Sequence, residues 1–142
     1  MHRETRAKLV EARDYLADQT HRPIRLVGLS AEIGYSPFHL HRLFAETFQE
    51  TPGAFLRRLK IERAKQALLF TEATVSEICF ELGYLSLGSF SSAFAEQTGF
   101  SPTEFRRQAR RSFAMGRLWS HRFVPACFLR SAIAFDANRK IG

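Results

Sequence analysis

At 142 residues and 45% hydrophobic, the chain is long enough for one domain or two very small ones, with core-forming side chains to spare. Its net charge of +7 favours a polyanionic partner, nucleic acid before membrane. Two cysteines, Cys79 and Cys127, stand outside any metal-ligand spacing and indicate neither a zinc site nor a disulfide framework. The basic excess is uneven. Residues 1–112 carry 16 Lys/Arg against 13 Asp/Glu, whereas residues 113–142 carry 5 against 1. The body is therefore only mildly basic, and local placement decides what it does. No run reaches the ~18 apolar residues of a membrane span, and the first residues lack the apolar core of a signal peptide. The cytoplasm is the expected compartment.

Residues 4–18 read as a first helix, with Ala7, Val10 and Leu16 as buried candidates. It stops before Pro23, which pushes the preceding residue out of the helical region. Residues 26–33 form a short second helix with Leu26, Leu29 and Ile33 at i, i+3, i+7. Gly28 inside it costs about 1 kcal/mol relative to alanine, so this helix must lean on tertiary packing. Gly34 ends it. Ser36 then caps a third helix over 36–48, with Pro37 in the first turn, where its missing N–H does no harm. Leu40, Leu43, Phe44 and Phe48 should face a core. That leaves Phe38, His41, Arg42 and Ala45 on or near the outer face. Two short helices joined by a glycine-containing turn make a helix-turn-helix pattern.

Thr51 and Pro52 start a long helix to about Phe70. Phe55, Leu56 and Leu59 cluster on one side of it, and Ile61, Ala64 and Leu68 on the other. A helix that changes its buried face halfway bridges two packing units. The pattern then returns. Thr74 caps a helix over 75–82, Gly83 ends it, Ser86 caps another to about Thr98, and Ser101 with Pro102 starts a last one to about Ser112. Aligned at an offset of 50, the two halves are identical at Ser36/Ser86, Phe44/Phe94, Ala45/Ala95, Glu46/Glu96, Pro52/Pro102, Phe55/Phe105 and Arg57/Arg107. Upstream, with a register shift of one, Ile33-Gly34-Tyr35 answers Leu82-Gly83-Tyr84. The matches lie at caps and core positions and fail at outward ones, so the units share a fold but not a surface. Residues 113–142 are aromatic and basic, with one candidate helix at 126–135.

The run G-Y-x-S-x-x-S-F-S-x-x-F-x-x-x-x-G-x-S-P-x-x-F-R-R over residues 83–107, together with the repeated helix-turn-helix, closely resembles the DNA-binding domain of AraC-type transcriptional regulators. The resemblance covers residues 5–111. It implies an all-α fold of seven helices: two homeodomain-like helix-turn-helix subdomains, 4–50 and 74–112, joined by a bridging helix at 52–70. Residues 1–112 would then be the DNA-binding domain and 113–142 a tail. The function implied is a sequence-specific regulator, an activator, with double-stranded DNA and RNA polymerase as partners. It would act as a monomer or weak oligomer on an asymmetric site, with a recognition helix in each of two adjacent major-groove segments. No cofactor and no enzymatic activity are expected.

Carried across residue by residue, base reading falls to Phe38, His41 and Arg42 in the first unit and to Leu87, Gly88, Ser89, Ser91 and Ser92 in the second. The fork of Arg42 fits G O6 and N7, and Phe38 fits the C5 methyl of thymine. The competing readings are a solvated arginine and a hydrophobic staple. Ser92 stands where the first unit has Arg42, which departs from what the family often shows and makes the second head chemically weaker. Phosphate contacts fall to Arg57, Arg58, Lys60, Arg63, Arg106 and Arg107, with Ser36 and Ser86 at helix N-termini; a solvated charged face is their alternative. Two further alternatives are a non-specific architectural DNA binder and the DNA-binding fragment of a larger ligand-sensing regulator. His39 and His41 lie about 200° apart around a helix and cannot share a metal. No catalytic motif is present.

Overall fold

A computed structural model describes residues 3–20 and 26–114. Among these residues seven helices follow one another: α1 (Arg3–Asp18), α2 (Leu26–Ile33), α3 (Pro37–Phe48), α4 (Pro52–Phe70), α5 (Val75–Glu81), α6 (Leu87–Thr98) and α7 (Pro102–Ala114). The described residues contain no strand, so the fold is all-α. The chain divides into two compact units between Lys60 and Ile61, partway along α4. The expected helix at 126–135, and Cys127, lie outside the described residues.

The first unit is built on Leu9, Ala12 and Leu16 of α1, Leu29 and Ile33 of α2, Leu40 and Phe44 of α3, and Phe55 of α4. This corrects the expected face of α1. Leu16 is buried as expected, but Ala7 is exposed and Val10 only half-buried. Ala7 lies about 180° around the helix from Leu16, and the stripe at i, i+3, i+7 set by the two leucines takes the inner face. In the second unit the core is Ile61, Ala64 and Leu68 of α4, Ile78 and Cys79 of α5 with Leu82 at its C-cap, Phe90 and Phe94 of α6, and Phe105 and Ala109 of α7. Phe94 meets Phe105 edge-on at 5.2 Å and Phe90 at 5.9 Å. No side chain belongs to both cores. The two halves of α4 face different ones, which accounts for its split apolar pattern.

Side-chain caps fix where the helices begin. Ser36 accepts from the His39 N–H at 3.2 Å, Thr51 from Ala54 at 3.2 Å, Ser86 from Ser89 at 3.1 Å and Ser101 from Glu104 at 3.2 Å. Thr74 and Glu77 form a reciprocal capping box at the start of α5. Gly34 and Gly83 end the first helix of each helix-turn-helix with φ of +77°, a conformation that a Cβ would strain.

Candidate nucleic-acid interface

α3 is held from below by Leu40 and Phe44, which are fully buried. Helical periodicity then forces Phe38, His41 and Arg42 outward, and all three are exposed. Phe38 is 79% exposed, a large apolar surface left in water. Arg42 approaches Glu46 one turn on at 3.9 Å, too far for a tight ion pair, so its fork remains presentable. His39, half-buried, meets the Tyr35 ring at 5.1 Å with the two planes tilted by 60°.

α6 repeats the geometry with different chemistry. Phe90 and Phe94 anchor it, and Leu87, Gly88, Ser89 and Ser92 are exposed, with Ser91 half-buried. Ser86 donates its hydroxyl to Ser89 Oγ at 2.9 Å while accepting from the Ser89 N–H, so these two residues satisfy each other. The Cys79 thiol lies 3.5 Å from the Ser86 carbonyl, and burial pushes its pKa up.

The basic side chains separate into two kinds. Arg57 is exposed on α4. Arg58 is exposed too, but it holds Glu50 through two bonds, at 2.7 and 3.3 Å, and lies over the Phe55 ring. Arg107 pairs with Glu104 at 2.6 Å. Surface pairs of this kind are worth about 0–1 kcal/mol and yield readily to a stronger anion. Arg63 is half-buried among its own contacts.

Two of the expected phosphate contacts are buried or engaged within the fold. Lys60 is buried, and desolvation lowers its pKa. Arg106 donates Nε to the Leu68 carbonyl at 3.0 Å and Nη2 to that of Ala73. These bonds tie α7 to the end of α4 and to the loop before α5. Burial, and then Arg110 nearby, lowers the Arg106 pKa, with Glu72 opposing. Arg110 reinforces the tie through Glu72 at 2.8 Å and the Thr71 carbonyl at 3.3 Å. These anchors are not legible in the sequence, because their carbonyl partners lie 33 to 39 residues away. Nor does the sequence single out several other exposed apolar side chains, among them Val27, Phe80 and Leu85. A signal for Leu85 was present, since it is the extra residue in the second turn of the repeat. Among the described residues no helix is long and apolar enough to cross a membrane, and no group of His, Cys, Asp or Glu is placed to hold a metal ion.

A helix-turn-helix domain family model matches residues 29–108, more than half of the chain. The regulatory protein SoxS of Salmonella typhimurium is 28% identical over 107 residues, covering 75% of this chain and 97% of that protein. An HTH-type transcriptional regulator of Staphylococcus aureus is 32% identical over 99 residues; the match takes in 70% of this chain but 13% of that much longer protein. Among solved structures, a regulator with an AraC-type DNA-binding domain from Chromobacterium violaceum superposes with a TM-score of 0.67 at 27% identity, over 72% of this chain and 92% of that one. The DNA-binding domain of AdpA, solved with a target DNA, shares the fold at a TM-score of 0.69 and 22% identity, over 72% and 93%. The buried anchors, the capped recognition helices and these likenesses agree: the chain belongs to the AraC-type family of helix-turn-helix DNA-binding transcription regulators.

Proposed function

We propose that the chain activates transcription from an asymmetric DNA site, with α3 and α6 in adjacent major-groove segments and α3 as the principal reader. The observation that carries this is a contrast between two copies of one fold. Phe38, His41 and Arg42 stand exposed on α3, and Gly88, Ser91 and Ser92 replace them on α6. Folding does not require the three large side chains, so their exposure needs another reason, and base reading supplies it. Arg42 reads a guanine through O6 and N7, Phe38 rests on a thymine methyl, and His41 bonds a base edge between them. Leu87, Gly88, Ser89, Ser91 and Ser92 form the weaker second head.

Arg57, Arg58 and Arg107 take phosphates, and Arg63 supports them. The capped N-termini at Ser36 and Ser86 add backbone N–H groups. The chain acts in the cytoplasm as a monomer or weak oligomer, and RNA polymerase is its protein partner. Joined to a sensing domain, as the length of the Staphylococcus relatives suggests, the same heads would serve a ligand-responsive regulator.

Selection from random duplexes, followed by footprinting, tests this reading. The expected result is a non-palindromic site with strong base preferences in one half and weaker ones in the other. Enrichment of no sequence would leave an architectural, sequence-indifferent binder instead.

A further inference from the structure

Leu85 lies in the turn between Tyr84 and the N-cap Ser86, and at 96% it is the most exposed large hydrophobic side chain among the described residues. The turn before α3 has no counterpart for it, since Tyr35 runs directly into Ser36. The fold therefore makes this turn without such a residue. Leu87, the first residue of α6, is 42% exposed. Gly88 follows, with nothing within 4 Å of where a Cβ would stand. The Ser86 hydroxyl is turned to Ser89, donating to its Oγ and accepting from its N–H. The N-terminal end of the second recognition helix thus offers two leucines beside short serines and a glycine, with no long polar side chain over residues 85–89. Such a surface is unsuited to bidentate hydrogen bonding. It suits the one apolar group that the major groove displays, the C5 methyl of thymine.

We infer that Leu85 and Leu87 form a methyl-reading lip through which the second head selects thymine. This deepens the base-reading function given above to α6 and rests on it. It also gives that head a source of specificity that its serines do not supply. Apolar contact has no fork geometry, so the lip favours thymine without setting a strict register.

Uracil provides the test, because it keeps the pairing edge and the O4 acceptor of thymine and lacks only the methyl. The full chain is titrated against its selected duplex with each thymine replaced in turn by deoxyuridine. Wild type should lose about fourfold in affinity at each contacted position, the effect of burying one methyl group. In the Leu85→Ala/Leu87→Ala variant, at least one of these positions should become indifferent to the methyl. Thymines contacted by Phe38 should stay sensitive. Leu85→Ser alone, at a fully exposed site, should give part of the same effect with unchanged helix content.

Three results would overturn the inference: no uracil-sensitive position in wild type, the same sensitive positions in wild type and variant, or an equal loss by the variant on thymine, uracil and scrambled duplexes. The last would mark the leucines as a protein-docking or generic surface. Failure of the underlying reading looks different, because wild type would then not prefer the selected duplex over a scrambled one.

Discussion

Arg42 and Arg106 carry the same guanidinium under opposite constraints, and they respond differently to truncation. Arg42 is exposed, with only a loose approach to Glu46. Arg42→Ala should leave stability unchanged, cost about 1–3 kcal/mol on the preferred duplex and relax one base position. Quantitative binding to single-base variants of the site measures this; an equal loss on every sequence would remove Arg42 from base reading. Arg57→Ala should weaken all duplexes alike and lower the salt slope by about one. Arg106→Ala should instead destabilise the fold by about 2 kcal/mol, since two backbone carbonyls lose a charged donor. Urea denaturation separates it from Arg57→Ala. None of this distinction was legible in the sequence, where Arg106 and Arg107 are adjacent members of one basic run. Only the fold brings Leu68 and Ala73 to the first.

At the scale of the helices, the caps make the sequence readable and also show where it can be improved. Ser36, Thr51, Thr74, Ser86 and Ser101 stand where their local patterns place them, because capping depends on residues within one turn. The face of α1 was harder to read, because it depends on which side chains α2 and α3 offer. α3 ends in a left-handed residue, as α6 does, but with Gln49 at φ +59° where α6 has Gly99 at +82°. Gln49→Gly should therefore stabilise the fold by up to about 1 kcal/mol. Gly28, exposed within α2 and with open space around its missing Cβ, should gain a similar amount on replacement by alanine. Thermal denaturation checks both; a loss at either position would show strain elsewhere.

Acid sensitivity belongs to the same scale. Bonds from Thr74 hold the Glu77 carboxyl below its ordinary 4.5, and bonds from Arg107 and Gln108 do the same for Glu104. A depressed folded-state pKa adds stability that is present above about pH 4.5 and is lost as pH falls through the folded-state value. Urea midpoints should be flat near neutrality and fall on the acid side. Glu77→Gln should make that fall shallower, and an unchanged acid slope would contradict this role for the capping box.

For the whole molecule, the governing feature is one fold used twice with unequal surfaces. Phe44 and Phe94 occupy equivalent places in cores that share no side chain. Phe94→Ala should cost about 3–5 kcal/mol and speed amide exchange through α5 and α6 while α2 and α3 remain protected. The repeat exposed this duplication in the sequence because core positions and caps recur at a fixed offset. It also marked the outward residues, by their failure to recur. What it left unread was the engagement of each outward group, as with the serines of α6 and the buried Lys60.

The exposed side chains of α3 and α6 are proposed to read sequence. The most direct test is competition between a selected duplex and a scrambled one of equal length at fixed, near-physiological salt. The expected preference is about a thousandfold or more. A ratio near one would contradict it.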